Sequence, residues 1–450
     1  MKMPESDTPS LRALVLAAGD GNTRFVADEA TRLDLSALTS APSPTPLLGR
    51  TVLLAMKRQI DTAAALIALD GVARRIVLWP YDLPREHMDV VLAAAGVEFL
   101  VAEWPLGTLD QVGAAAPEDG APWRATEWVL FTSGTAGQPK MVVHTLFSLA
   151  GHLFGGAASA KGPIWCTFYD IRRYGGMQIL LRALIGAGSL VLSCPDESPG
   201  AFLARAAAAG ATHFLGTPSH WRRALMTEAA DRIAPAYVRL SGEVADQGIL
   251  GKLREQYRHA RIVHAFASTE AGLAFEVEDG SAGFPASLEG QTGGTAEIRI
   301  EAGALRVRSP RNAIGYLDRA ISAIPDEAGF VDTGDIVELR GSRYYFAGRR
   351  DGTVNVGGQK VHPEEVEAVI NQHPAVEMSR VSARASPITG AIVVADVVCR
   401  PGGTASADAT PAAIRDFCRA RLAPHKVPAA IRIVPNLEIA ASGKLVRMRA

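Results

Sequence analysis

The sequence predicts an α/β protein of more than one domain, and three observations lead there. Between Leu11 and Phe266, short apolar runs alternate with stretches of helical periodicity, the pattern of parallel strands joined by helices. From Gly283 to Arg340 the pattern shortens to brief alternating strands separated by turns, which suggests a β-rich subdomain. The residues beyond Asp351 have a periodicity of their own and form a compact α+β unit of about 100 residues, near the usual domain size. A chain of 450 residues is also too long for one ordinary core.

In order, residues 1–10 are polar with Pro4 and Pro9, and read as a short disordered tail with no signal-peptide core. Leu11 to Leu16 reads as a strand running into the turn Gly19-Asp20-Gly21-Asn22, and Ala41 to Pro46, with three prolines, as a loop. Met56–Asp70 has helical periodicity. Arg75–Trp79 is a strand stopped by Pro80, followed by a helix near Glu86–Ala95 and a strand Val97–Val101. Further on, Met177–Ala187 reads as a helix, Leu190–Ser193 as a strand, and Ala201–Ala209 as an alanine-rich helix closed by Gly210. Three strands then end in small or polar residues: His213–Gly216 in Thr217-Pro218-Ser219, Tyr237–Leu240 in Ser241-Gly242-Glu243, and Arg261–Phe266 in Ala267-Ser268-Thr269-Glu270. Ligands of α/β sheets sit at the carboxyl ends of strands, so these tips are expected to line one cleft, although each alone is an ordinary helix cap. Short strands such as Glu297–Ile300 and Leu305–Val307 make up the β-rich stretch. Beyond Asp351 come a strand near Val354, a helix Pro363–Asn371, strands Ser379–Ala383 and Ala391–Val398, and a helix Pro411–Leu422. Pro363 with Glu364 and Glu365 suits a helix start, because proline fits the first turn and carboxylates oppose the dipole.

Composition excludes several classes. With 46 basic and 47 acidic residues the net charge is −1, so no bulk field draws nucleic acid or an anionic membrane. Cys166, Cys194, Cys399 and Cys418 are scattered, with no CxxC and no histidines at ligand spacing, which argues against a disulfide framework or a zinc site and for a reducing cytoplasm. No run of 18 uncharged apolar residues is present; Ile179–Cys194 is broken by Arg182 and by glycines.

The chemistry concentrates between Trp128 and Lys140. An apolar strand end, Trp128-Val129-Leu130-Phe131, runs into Thr132-Ser133-Gly134-Thr135-Ala136-Gly137-Gln138-Pro139-Lys140. Glycines let backbone N–H groups approach a polyphosphate, the hydroxyls add donors, and Lys140 adds a point charge. The alternative is a plain Gly/Thr turn between two strands. A Walker loop is excluded, because Gln138 and Pro139 separate Gly137 from the lysine and Met141 stands where the magnesium-binding hydroxyl belongs.

Five stretches stand in one order: FTSGTAGQPK, FASTEAG, DTGD, GRRDGTVNVGGQKVHPEEVE and ASGKLVR. In that order the chain resembles the adenylate-forming superfamily of acyl- and aryl-CoA synthetases, nonribosomal-peptide adenylation domains and luciferases, over roughly its last seven-tenths. The pattern is most like that of a short acyl-CoA synthetase. The resemblance implies a large N-terminal domain of α/β layered subdomains plus a β-rich one, residues 1–348, and a small mobile α+β C-terminal domain, residues 349–450, hinged near Asp351. It implies two half-reactions: a carboxylate attacks the α-phosphate of ATP to give an acyl-adenylate and pyrophosphate, then a thiol displaces AMP. The protein would mainly position groups and offset charge.

By this resemblance Thr132, Ser133, Gly134, Thr135, Gly137 and Lys140 hold the β- and γ-phosphates. Thr269 and Glu270 belong to the catalytic set, and Glu270 binds Mg²⁺ as a hard oxygen ligand. Asp335 takes the ribose hydroxyls, Arg349 contacts ribose or phosphate, and Ser241, Gly242, Glu243 and Phe266 border the adenine. Arg350 is expected to be a solvated surface charge. Gly357, Gly358 and Gln359 face the thiol tunnel once the small domain has turned. Lys444 is the catalytic lysine bridging the carboxylate and the α-phosphate. Three residues depart from the family pattern: Ala136 for Thr or Ser, Met141 for Gly, and Ala267 for Gly. The first motif also begins early, so the N-terminal subdomain is abbreviated.

In this family the acyl pocket forms from the segment after the phosphate loop and from the strand tips. Here that means Phe168, Tyr169, Tyr174, Gly175, Gly176, His213 and Trp221, with Ser241. Tyrosine and tryptophan narrow a cavity, which favours a smallish aryl or medium acyl acid. Asp170 is the one candidate for binding a substrate amine, with a helix cap as the plainer role. The expected cosubstrates are ATP with Mg²⁺, and CoA or the phosphopantetheine of a separate carrier protein. A ligase forming acyl-CoA leads; an enzyme loading a carrier protein is the alternative, and a non-catalytic member of the fold is opposed by Glu270, Asp335 and Lys444. A monomer or homodimer in the cytoplasm is expected.

Overall fold

A computed structural model describes residues 8–19, 23–105, 109–113, 125–132, 139–154, 162–291, 296–318, 324–386, 390–400, 410–439 and 444–446, with the backbone alone for Asp351. Among these residues the chain forms two large sheets, a smaller antiparallel sheet, and two further small sheets after Asp351.

The first large sheet pairs Thr51–Leu54, Arg75–Leu78, Phe99–Val101 and Glu127–Thr132 in parallel, and Lys140–Thr145 joins antiparallel to the last of them. The second pairs Phe25–Ala27, Ser189–Leu192, Ile164–Thr167, His213–Gly216, Tyr237–Ser241 and Arg261–Ser268 in parallel. Helices Gln59–Leu69 and Tyr174–Ile185 lie in one apolar cluster with strand residues of both sheets, so they are sandwiched between them. Gln59–Leu69 is buried on every side apart from Asp61, as a central helix must be. Helices Pro199–Ala208, Pro218–Ala224 and Gln247–Gln256 cover the outer face of the second sheet. The strand–helix alternation read from the sequence is therefore present, and it produces layers.

One element differs from expectation. Leu11–Ala17 is a helix, not a strand. A six-residue run satisfies either period, and one local cap with two tertiary contacts decides it. Ser10 caps the helix through its side chain, Leu11 and Val15 turn one face into the core, and the Leu11 N–H donates to the buried Asp70 carboxylate at 2.7 Å. The turn expected at Asp20-Gly21-Asn22 and the tail before Thr8 lie outside the described residues. The helix expected from Met177 starts earlier, at Tyr174, which places Tyr174, Gly175 and Gly176 in its first turn.

The β-rich region forms as expected, in the order Phe284–Pro285, Arg343–Arg349, Val331–Arg340, Ala304–Arg308, Glu297–Glu301. The chain after Asp351 then builds its own core, with helix Pro363–Ile370 and helix Pro411–Arg419 packed on strands Val376–Ser386 and Gly390–Cys399. The described residues thus have the α/β architecture of a large N-terminal part and a smaller α+β part at the C-terminus.

Candidate active site

The parallel strands of the second sheet all end on one edge, and a cleft of ≈ 1590 Å³ opens there. Thr217, Ser241, Gly242, Glu243, Phe266, Thr269 and Glu270 line it, so the three strand tips do share one site. Thr132 and Lys140 line it from the first sheet. These two are register partners in the antiparallel pair, so both ends of the segment between them stand at the cleft. Ser133, Gly134, Thr135 and Gly137, with Ala136 and Gln138, lie outside the described residues. Asp335 and Arg349 enter from the antiparallel sheet, and Lys444 from the end of the chain.

Lys444 is the group the cleft closes around. It lies beside Gly242, where a side chain would begin 3.7 Å from the lysine Cε, and its side chain stays exposed along the cleft. Gly242 has φ +85, a left-handed conformation open to glycine. Partial desolvation by the cleft walls lowers the lysine pKa; Glu243 and Asp335 act against that, while Arg349 and Arg173 add to it. Glu243 fixes the segment: one carboxylate oxygen accepts from the Leu445 N–H and the other from the Ser219 N–H, both at 3.0 Å. Asp335 faces Arg349 across adjacent strands at 3.7 Å, and burial raises the Asp335 pKa against the pull of Arg349.

Glu270 lines the cleft with its carboxylate 3.3 Å from the Tyr316 hydroxyl, and the Lys140 ammonium sits 5.5 Å over the same ring. The backbone of Thr269 is held by His144, whose Nε2 is 2.8 Å from the Thr269 oxygen and whose Nδ1 is 2.9 Å from Ser148 Oγ. Burial pushes the His144 imidazole down to about 4, so it is neutral at ordinary pH and donates to the carbonyl. Phe266 stacks on Phe346 with centroids 5.2 Å apart, forming an apolar wall of the cleft.

The acyl-pocket residues divide. Tyr169, Tyr174, Gly175 and Gly176 line the cleft, and the Tyr169 hydroxyl bonds to both oxygens of Ser241 at 2.9 Å. Phe168, His213 and Trp221 do not line it, which corrects the expectation. Phe168 points to the other side of the chain and packs on Phe202 and Trp221. Trp221 is fully buried in the outer core. His213 begins its strand, so it sits at the end opposite the cleft, between Trp165 and Tyr237. Asp170 lines the cleft, but its carboxylate is already engaged, accepting from the Arg172 N–H and Nε and from the Tyr81 N–H, and so it caps a turn. Gly357, Gly358 and Gln359 form the exposed tip of the hairpin Val354–Val361, with Gly358 alone of the three on the cleft. The Asp351 backbone lies in a short helical turn, Arg350–Gly352, and Arg350 pairs with Asp332 at the surface.

Four lining or supporting residues have no signal in the sequence. Arg173 reaches the Phe131 oxygen at 3.1 Å and Asp82 at 2.5 Å, and both charges line the cleft. Tyr316 and His144 are brought in by the two strands that extend the first sheet, Gly315–Tyr316 and Lys140–Thr145.

The donor set fits magnesium only as a shared ligand. Among the described residues no cluster of three or more His, Cys, Asp or Glu could hold a metal, whereas Glu270 offers one hard carboxylate facing the cleft. Mg²⁺ is characteristically held that way, by one or two carboxylates together with substrate phosphates.

The chain matches the AMP-binding enzyme family over residues 48–317, more than half its length, and the AMP-binding enzyme C-terminal domain over residues 365–444. It is 28% identical over 436 residues to a 2-succinylbenzoate–CoA ligase of Geobacillus kaustophilus, covering 89% of this chain and 87% of that one. A benzoate CoA ligase of Burkholderia xenovorans superposes with a TM-score of 0.76 at 20% identity, covering 97% of this chain and 99% of that chain. An o-succinylbenzoate CoA synthetase of Bacillus subtilis, bound to its acyl-adenylate, gives 0.73 at 19%, covering 97% of each. With both stretches matched, and with the cleft bounded by residues of each, the chain belongs to the AMP-binding enzyme family of adenylate-forming ligases.

Proposed function

We propose that this protein activates a carboxylic acid with ATP, releasing pyrophosphate, and passes the acyl group to the thiol of CoA. The single observation that carries this reading is Lys444, which lines the cleft together with Asp335, Arg349, Thr269 and Glu270. The ligase names of the relatives support an aryl acid and CoA, so the carrier-protein alternative is the weaker one.

Each residue's part follows from its placement. Lys140 and Thr132 face the outer phosphates, and Asp335 accepts from the ribose hydroxyls with Arg349 beside it. Glu270 would hold magnesium, which supplies neutralisation of phosphate charge when bound. The acid lies between Tyr169, Tyr174, Gly175, Gly176 and Ser241 with its carboxylate towards Lys444. Charge grows on the α-phosphate oxygens as the carboxylate attacks, and a cation already in place stabilises it without reorganisation. In the second half-reaction the C-terminal part turns about Asp351, Lys444 leaves, and Gly357, Gly358 and Gln359 border the thiol's path.

The test is ATP–pyrophosphate exchange over a panel of aryl and medium-chain acids, followed by product mass with CoA or with a carrier protein. Exchange with an aryl acid and a CoA thioester are expected. Lys444→Ala is expected to lower acyl-adenylate formation by about 100- to 1,000-fold while sparing thioester formation from supplied acyl-adenylate. Equal loss of both steps would refute the turning of the C-terminal part.

A further inference from the structure

We propose that Arg173 is a catalytic residue of the adenylation step: its guanidinium bonds the oxygen between the α- and β-phosphates of ATP and offsets the charge of the departing pyrophosphate. This rests on the reading that the cleft activates a carboxylic acid, and adds to it a cation that no motif of the sequence marks.

Arg172 and Arg173 stand side by side and have opposite fates. Arg172 is 1% exposed and structural, its Nε 2.8 Å from Asp170 and its Nη1 2.6 Å from the Met56 carbonyl. Arg173 is the last residue before helix Tyr174–Ile185, with an extended backbone and no capping bond from its side chain. It lines the cleft, and its side chain is 22% exposed there.

Two remote segments hold the Arg173 guanidinium. Nε and Nη2 donate to Asp82 Oδ1 at 3.2 and 2.5 Å, and Nη1 donates to the Phe131 carbonyl at 3.1 Å. A guanidinium has five N–H donors, so among the described residues one on Nη1 and one on Nη2 are left over. A donor pinned before the reaction stabilises developing charge without reorganisation.

Its placement fits the bond that breaks. Phe131 directly precedes Thr132, where the segment assigned to the outer phosphates begins. On the other flank, Arg173 is one of the charges that lower the Lys444 pKa, so the two cations share one stretch of the cleft. Like charges brought together repel, and an anion between them turns that cost into attraction. Lys444 serves the α-phosphate and the Thr132–Lys140 segment the β- and γ-phosphates; Arg173 neighbours both, which is the place of the α–β bridge. As the acid's carboxylate oxygen bonds to the α-phosphorus, the bond from that phosphorus to the bridging oxygen breaks, and its electron pair leaves with pyrophosphate. Charge therefore grows on the bridging oxygen, and a hydrogen bond from a guanidinium strengthens with it.

The experiment runs this step backwards, from pyrophosphate and the acyl-adenylate of the best acid in the panel above, on wild-type protein, Arg173→Gln and Arg173→Lys. Thioester formation from the same acyl-adenylate is measured beside it. Arg173→Gln is expected to lower kcat of the reverse step by about 100-fold, the scale for one lost donor to developing charge. It is expected to raise KM for pyrophosphate by about tenfold to a hundredfold. KM for the acyl-adenylate and the rate of thioester formation, which involve no pyrophosphate, are expected to stay near those of the wild type. Arg173→Lys, which keeps the charge without the fork, is expected to fall between, and carries the same contrast should the glutamine variant not fold. Equal slowing of both half-reactions, or an unmoved KM for pyrophosphate, overturns the proposal. Should no acid support ATP–pyrophosphate exchange in the wild type, the adenylation reading fails instead. Thermal shift then decides for Arg173: its bond to the phosphate chain stands if Arg173→Gln weakens binding of MgATP and pyrophosphate but not of AMP, and falls if ATP and AMP are affected equally or not at all.

Discussion

Glu270 and His144 show how much a single side chain can hold at this site. Among the described residues the Glu270 carboxylate has the Tyr316 hydroxyl as its hydrogen-bond partner, and Glu270 lines the cleft. Glu270→Gln keeps that contact and removes the charge, so adenylation is expected to fall and to recover in part at high Mg²⁺. Near-normal rates at low Mg²⁺ would take Glu270 out of the metal role. His144 acts behind Thr269. Its imidazole takes a proton near pH 6.5 in the unfolded chain but only near 4 in the fold, because burial disfavours the charged ring. The unfolded state therefore binds more protons between these values, and the stabilisation, complete above about pH 6.5, is lost as the pH falls towards 4. The loss reaches about 3 kcal/mol for this one group. His144→Gln, which can still donate to the Thr269 carbonyl, is expected to flatten that pH dependence in denaturant titrations at pH 4.5, 5.5 and 7; an unaltered slope would assign it to other groups, such as half-buried His220, pushed down to about 3.

At the scale of elements, the entry to helix Tyr174–Ile185 does the positioning. The turn before it is pinned by Asp170, which accepts from the Arg172 N–H at 2.9 Å and from the Tyr81 N–H at 3.2 Å, so it ties both large sheets together. Gly176 completes the turn: a Cβ there would stand 2.2 Å from the Asp170 carbonyl oxygen. Gly176→Ala is thus expected to displace the backbone that carries Tyr169 and Tyr174. It should cost about 1–3 kcal/mol of stability and raise KM for the acid more than KM for ATP. Equal changes in the two KM values would show that this turn does not shape the acyl pocket.

Over the whole molecule, the C-terminal part is held by a buried polar chain. Arg222 pairs with Asp246 at 2.5 Å and donates to the Glu377 carbonyl; Asn371 donates to Asp246 at 3.2 Å and accepts from Ser379 at 2.9 Å. Lys252 pairs with Glu377 at 2.5 Å. Three of these bonds cross between the two parts, Arg222 to the Glu377 carbonyl, Asn371 to Asp246 and Lys252 to Glu377, and they belong to the arrangement that places Lys444 in the cleft. Asn371→Ala weakens that arrangement by about 1–3 kcal/mol, the cost of leaving buried partners unmade. Adenylation is expected to slow while thioester formation from supplied acyl-adenylate holds or quickens. Parallel slowing of both half-reactions would mean that the chain only stabilises the fold.

The sequence alone determined the layered α/β plan, the β-rich stretch and the α+β end, because burial periodicity and Gly/Pro punctuation are local properties. It also supplied the family and the positions of Glu270, Asp335 and Lys444, whose neighbours in sequence form spaced motifs. Tertiary structure decided the rest. Leu11–Ala17 became a helix because Ser10 and Asp70 satisfy its first N–H groups. His213 and Trp221 left the pocket because strand direction and helix face, which one-dimensional spacing does not encode, turned them towards other cores. Arg173, Tyr316 and His144 carry no motif, and each matters through what a distant strand or helix places beside it. The charge balance of a pocket is a sum over contacts between remote segments, so only the folded chain sets it.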